Sequence, residues 1–299
     1  MEKVMFSSNL EISRLVHGHW RLMDWKLSSQ GLNEFTNQVI NLGITTFDHA
    51  DIYGNYECEK AFGDALRLQS GLRKEIQLVT KCGIKTLSDK YPERKIGHYD
   101  YSYDHIVSSV DNSLRNFGTD YIDLLLLHRP SPFFDPEEVS RAFATLKQDG
   151  KVTHFGVSNF TGDQFEMLQT YLDIPLVTNQ VEISPYFLEH FENGNMDYFL
   201  THKIKPMAWS PLAGGEIMNP ATEKGSRVFN CLTEVAKELD ISIDQLIYAW
   251  LLNHPAGIIP VLGSGKIERI KSAVRSMEIK LNIEDWLKIY VAAKGEPLP

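Results

Sequence analysis

The sequence lacks several features that would assign its class at once. Only three cysteines occur in 299 residues (Cys58, Cys82 and Cys231), with neither metal-ligand spacing nor an even disulfide framework. They fit a reducing compartment and read as ordinary core or surface thiols. No apolar run approaches the ~20 residues that a membrane helix needs. The opening residues MEKVMFSSNL carry no signal-peptide core. A formal net charge of −9 leaves no positive excess for a non-specific nucleic-acid or anionic-membrane surface. The glycine signatures for phosphate are missing too. Residues 263–266 read GSGK, but Glu268 stands where the dinucleotide fingerprint needs its third glycine, and the four-residue spacer of a Walker A loop is absent. The expectation is a cytoplasmic globular protein with no nucleic-acid, membrane or metal partner. Any nucleotide must bind by another route.

What is present is an alternation of apolar runs and helical patterns. EISRLVHGHW, ITTFD, EIQLVTK, YIDLLLLH, KVTHFGVSN, IPLVTNQVEIS, IKPMAWS and GIIPVLG read as strands. Helical stretches separate nearly all of them. One sets Leu32, Phe35 and Val39 on a face, another Ile106, Val110, Leu114 and Phe117. The clearest begins with Asp135 as N-cap and Pro136 at the first position, and buries Val139, Ala142, Phe143 and Leu146 before Gly150 stops it. EHFENGNMDYFLTHK reads as a single helix. Strands apolar on both faces, joined by helical crossovers, imply a parallel sheet. Eight such units in this length imply a closed (β/α)₈ barrel forming one domain over residues 1–299, with an open doubly wound sheet as the alternative. KVMF is a possible hairpin partner for the first strand and would close the barrel bottom.

In such a barrel the carboxyl ends of the strands meet at one mouth. There this sequence places Asp48, Lys81, His128, Ser158 with Asn159, Gln180 and Trp209 with Ser210, while Tyr53 follows on the loop after Asp48. Taken singly, each has a bland reading as cap, solvated exit or core. Taken together they form a proton donor. A tyrosine has an ordinary pKa near ~10, and a neighbouring ammonium pulls it toward the working range. A carboxylate keeps that ammonium charged and placed. An imidazole orients the oxygen that takes the proton. Protonating a carbonyl oxygen implies hydride addition at its carbon, and hydride needs a cofactor. Ser158, Asn159 and Gln180 suit a carboxamide, and Trp209 offers a flat stacking face. Trp20, Trp25 and the tyrosine-rich residues 85–104 (Tyr91, Tyr99, Tyr101 and Tyr103) are candidates to roof the pocket.

These segments resemble the aldo-keto reductase superfamily over nearly the whole chain. TFDHADIYG is similar to that family's motif with the Asp and Tyr, LVTKCG to its Lys motif and DLLLLHRP to its His motif. GVSNF, TNQVEISPY and MAWSPLAGG resemble its nicotinamide and pyrophosphate segments, the last holding Ser210 and Leu212, and IIPVLGSGKIERI its 2′-phosphate segment. The resemblance implies a (β/α)₈ barrel that uses NADP(H), or less often NADH, without metal to reduce a small carbonyl substrate. It implies Tyr53 as general acid, Lys81 and Asp48 as its tuning pair, His128 as orienting group, and Ser264 and Arg269 on the phosphate, beside which Lys266 could supply extra charge. Two positions depart: Gly263 stands where many members have a basic residue, and Ala273 where they have an Asn on adenine. A regulatory, cofactor-sensing subunit of the same fold is the alternative function. A hydrolase using Asp48 and Asp51 is a third, and it leaves Lys81 and His128 without a role. Oligomeric state is not legible.

Overall fold

The computed structural model describes residues 1–298. Eight short parallel strands close into a barrel in chain order: β1 Val16–Gly18, β2 Thr46–Asp48, β3 Gln77–Cys82, β4 Ile122–Leu127, β5 Val152–Ser158, β6 Leu176–Glu182, β7 Met207–Trp209 and β8 Ile259–Leu262. Helices alternate with them: α1 Ser29–Asn41, α2 Cys58–Leu66, α3 Tyr103–Phe117, α4 Pro136–Gln148, α5 Gly162–Thr170, α6 Asn195–His202, α7 Glu223–Glu238, α8 Ile243–Leu252, α9 Ile267–Arg275 and α10 Ile283–Lys294. The expected (β/α)₈ architecture is therefore the observed one. Two compact units follow each other along the described residues, Met1–Asn179 and the residues from Gln180 on. Among the described residues no helix is long and apolar enough to cross a membrane.

Local chemistry accounts for most helix starts. Ser28, Ser102 and Asp135 accept backbone N–H groups of the first turns of α1, α3 and α4, and Thr161 with Gln164 forms a capping box on α5. The anticipated face of α4, Val139, Ala142, Phe143 and Leu146, is buried as a set.

The sequence reading missed in three places. EISRLVHGHW is two strands: Leu10–Ser13 pairs antiparallel with Lys3–Ser7 in the expected hairpin, and only Val16–Gly18 enters the barrel. The hairpin turn is held by His154, whose Nε2 lies 3.0 Å from Ser7 Oγ and 2.9 Å from Asn9 Oδ1 near the start of β5. Residues 189–203 are not one helix, because Gly194 takes a left-handed φ of 85° and divides a short turn from α6. The third miss, α8, is apolar nearly all round and so shows no stripe. It stacks Trp250 on Trp286 of α10 (centroids 4.7 Å apart), and each indole N–H donates to the other residue's carbonyl.

The first unit contains an unusually close helix contact. A Cβ on Gly63 of α2 would lie 2.0 Å from the Asn116 carbonyl oxygen and 2.7 Å from Phe117 Cα, both backbone atoms of α3 that cannot swing aside. Alanine ordinarily stabilises a helix relative to glycine by roughly 1 kcal/mol. Here the overlap reverses the sign: Gly63→Ala should cost about 1–3 kcal/mol. Urea unfolding of both proteins measures this, and a more stable variant would contradict the close packing.

Candidate active site

β2 and β3 pair in register, with Asp48 opposite Val79, and Lys81 in turn sits opposite Leu126 of β4. The pairing sets two ionisable side chains on adjacent strands at the end where the chain leaves the barrel. Lys81 is 1% exposed and Asp48 2%. Lys81 Nζ donates to both Asp48 oxygens at 2.8 Å, to the His49 carbonyl at 2.8 Å, and to Tyr53 Oη at 3.2 Å. Burial alone would lower the lysine pKa. The Asp48 carboxylate and Tyr53 more than reverse that, and the ammonium titrates above its ordinary range.

Tyr53 reaches the lysine because the chain reverses sharply behind it. Gly54, Asn55 and Tyr56 all have positive φ (58°, 55° and 67°). A Cβ on Gly54 would meet Met23 Cγ at 2.5 Å and Cys58 Sγ at 2.6 Å, so this position needs glycine twice over. The expectation that Lys81 brings the phenol pKa down meets a stronger opposing effect. Burial pushes Tyr53 up, Lys81 pulls it down, and the net direction is up. The reason is the low-dielectric setting, which penalises tyrosinate before any charge partner acts. Tyr53 is thus a neutral phenol through the neutral pH range.

His128, just past β4, places its ring 5.8 Å from that of Tyr53, nearly edge-on at 76°. Burial, then Lys81 and Arg129, hold its pKa well below the usual histidine range, so it is neutral. Asn159 has a left-handed φ of 63° and turns its Nδ2 to the His128 carbonyl at 3.0 Å and to Ser158 Oγ at 2.9 Å. The structure therefore brings Asp48, Tyr53, Lys81 and His128 together, with Ser158 and Asn159 tied to His128. Asp51 is not a partner of Asp48: its Oδ1 is buried without a hydrogen bond, and burial beside Glu59 pushes its pKa well up. The carboxylate pair of the hydrolase alternative is not formed, since Asp48 is committed to Lys81.

In the second unit, Gln180 is buried on β6 with its Nε2 3.9 Å from Met207 Sδ, and Trp209 ends β7 half-buried. Ser210 and Ala213 have positive φ (49° and 48°), and the Ala213 N–H donates to the Ser210 carbonyl and that of Gly215 to Leu212. Backbone groups are thus gathered in a tight turn after β7. After β8, Gly263 has open space around it and Ser264 Oγ accepts from the Lys266 N–H at 3.2 Å. Lys266 precedes α9 without a side-chain cap, which leaves first-turn N–H groups available to an anion. Glu268 pairs with Lys271, and among the described residues the Arg269 guanidinium makes no ion pair. Uncommitted positive charge at an uncapped helix start fits a phosphate. Ala273 is fully buried and presents nothing to a base.

Two other expectations change. Trp25 packs on His17 and His19 (5.5 and 5.4 Å between centroids) and on Phe35, so it belongs to an aromatic cluster behind the strands and not to a roof. Trp20 stays exposed. Residues 85–104 are partly ordered as a ribbon in which Ile84–Lys85 pairs with His98–Tyr99, and Tyr101 is buried over Gly83 with its hydroxyl bridging the Arg129 backbone. The sequence reading gave no role to His17, His19 and His49, all fully buried. The alternation in VHGH and in FDH was the available signal, since period two puts His17, His19, Phe47 and His49 on one side of their strands.

The aldo/keto reductase family model matches residues 14–293. The oxidoreductase YcsN of Bacillus subtilis is 49% identical over 300 residues, covering 100% of both chains. A 6-dehydroglucose reductase of Agrobacterium fabrum is 39% identical, covering 99% of each. The crystal structure of a thermostable aldo-keto reductase, Tm1743, in complex with the inhibitor epalrestat superposes with a TM-score of 0.82 at 25% identity, over 98% of this chain and 100% of that one.

Proposed function

The chain belongs to the aldo/keto reductase family, and from that premise we propose that it reduces the carbonyl of a small aldehyde or ketone with NADPH. The observation that carries the proposal is the buried Lys81–Asp48 pair in contact with the Tyr53 hydroxyl. NADPH, when bound, supplies the hydride for the carbonyl carbon. The rest falls to this chain's own groups. Tyr53, neutral at working pH, gives its proton to the carbonyl oxygen. The Lys81 ammonium then stabilises the tyrosinate, and Asp48 keeps Lys81 charged and aimed. Neutral His128 offers one N–H to the same oxygen and fixes its direction. Ser158, Asn159 and Gln180 would hold the nicotinamide carboxamide and Trp209 would stack on the ring. Ser210 and Leu212 lie in the turn that would take the pyrophosphate. The name of the Agrobacterium relative makes an oxidised sugar a natural first compound to assay.

Preference for NADPH over NADH is argued from α9. A 2′-phosphate brings about two negative charges. Arg269 and Lys266 are uncommitted there, the Ser264 hydroxyl stands beside the Lys266 N–H, and the helix start adds positive potential. NADH carries only a hydroxyl at that position, so these groups discriminate as well as bind.

Tyr53→Phe should lower kcat for carbonyl reduction by on the order of 10²-fold or more while NADPH still binds. Steady-state kinetics with fluorescence titration of the cofactor measure both. Near wild-type kcat would remove Tyr53 from the role, and absence of turnover in the wild type across carbonyl compounds would favour the regulatory-subunit alternative. Arg269→Ala should weaken NADPH binding by roughly 1.5–3 kcal/mol, as for a charge-assisted hydrogen bond, and leave NADH binding almost unchanged. Equal loss for both cofactors would mean that Arg269 holds the loop and not the phosphate.

A further inference from the structure

Behind the Asp48–Lys81 pair stands a second buried polar contact that the proposed chemistry does not use. His19 Nδ1 lies 2.8 Å from His49 Nε2. Both residues are completely buried. The pair occupies the rung just beyond the last β1–β2 partners, Gly18 and Asp48. The backbone continues that register, with the His19 N–H donating to the Asp48 carbonyl at 2.9 Å and the His49 N–H to Val79 at 2.8 Å. The two rings face the helices. His49 packs on Phe62 of α2 and Phe117 of α3, and His19 on Phe62, on Phe47 and on Trp25. Asp48, one residue earlier, takes the opposite side of β2, as strand alternation requires.

Residue 49 therefore has two attachments on opposite sides of the wall. Its ring is tied to His19 on the helix side. Its carbonyl accepts from Lys81 at 2.8 Å on the other. An ammonium has three protons, and four acceptors surround Lys81 Nζ: two Asp48 oxygens, the His49 carbonyl and the Tyr53 hydroxyl, which is the most distant at 3.2 Å. The direction of the ammonium depends on all of them staying where they are. A carbonyl free to rotate would let the lysine settle onto Asp48 and lose its aim at Tyr53.

We propose that His19 and His49 are positioning residues. Their ring-to-ring hydrogen bond locks the residue-49 peptide, and through its carbonyl sets the contact between Lys81 and Tyr53. An N–H···N bond between imidazoles needs one ring as donor and an unprotonated nitrogen of the other as acceptor, so the two rings cannot both be charged. The surroundings favour the neutral form of both. Burial holds both rings well below the ordinary histidine pKa; at His19 the neighbouring His49 and His17 add to this, and at His49 the Lys81 ammonium and then His17 do. Leucine would fill similar space and satisfy the aromatic neighbours. It would leave the peptide with backbone bonds alone.

The inference rests on the reading of Tyr53 as proton donor, so the test has one arm that depends on turnover and one that does not. His49→Leu and His19→Leu are compared with His49→Gln and His19→Asn, whose side-chain amide nitrogens stand near Nε2 and Nδ1 respectively. Each is assayed for kcat at saturating NADPH, for NADPH affinity, and for titration of the Tyr53 ring by carbon-13 NMR, assigned with Tyr53→Phe. Both Leu variants should lose about tenfold in kcat, the scale of a small misplacement of a catalytic group, with NADPH affinity unchanged. Their Tyr53 should titrate at higher pH than in the wild type, because the lysine no longer offsets burial. The amide variants should recover to within about twofold. If His49→Leu fails to fold, His19→Leu makes the same test from β1. Leu variants whose Tyr53 titrates as in the wild type, or amide variants no better than Leu, would overturn the proposal. Should Tyr53→Phe prove fully active, the donor reading fails, and the NMR arm still decides whether the histidine pair sets the Lys81–Tyr53 contact.

Discussion

A lysine and an aspartate taken out of water together form the interaction around which the first unit is arranged. Desolvating two charges costs several kcal/mol for each ion, and their attraction offsets this only when the geometry is good and the remaining protons find acceptors. Lys81 meets both conditions. Asp48 takes it with both oxygens, and a main-chain carbonyl and the Tyr53 hydroxyl take up the rest of its hydrogen bonding. Such a pair adds little net stability compared with well-packed apolar residues, yet removing one partner costs roughly 3–5 kcal/mol. Its value here is positional: an ammonium that cannot move, pointed at one phenol.

Other features of that half follow from the need to hold this charge. Three successive residues with positive φ reverse the chain so that Tyr53 hangs back over Lys81. Gly54 is required where Met23 and Cys58 leave no room. Glu59 on α2, buried beneath the neighbouring strand, has its oxygens taken by Thr80, Ser113 and Asn116. Three neutral donors satisfy that carboxylate without adding a competing cation. In the second unit, α9 shows the opposite design. There positive side chains stand at an uncapped helix start with no carboxylate assigned to Arg269, an arrangement suited to a visiting anion and of little use to the fold.

The barrel was legible because apolar runs alternate with helical patterns, six of the runs end at polar residues, and Asp135-Pro136 marks a helix start by a mechanism visible in the letters. Asp48, Lys81 and His128 could be read for the same reason. The histidine pair could not. A polar letter inside an apolar strand reads as a functional or solvated position, and nothing in a single sequence says that two such letters on neighbouring strands satisfy each other. α8 escaped because IDQLIYAWLL has apolar residues on every side, and the stripe that betrays a surface helix is missing. The net direction of the Tyr53 pKa was hidden for a related reason. The sequence names the charge partner, but only the packed structure shows how closely protein surrounds the half-buried ring.

The central claim is that the Lys81 ammonium acts on the Tyr53 hydroxyl and is not merely a structural ion. Lys81→Met keeps the length and apolar stem of the side chain and removes the charge. The pH dependence of carbonyl reduction and the thermal stability are measured on the same variant. The account expects a lower rate together with an alkaline limb moved to higher pH, since tyrosinate loses the charge that favours it while its burial remains. A variant that loses thermal stability but keeps the wild-type pH profile in its surviving activity would contradict the account.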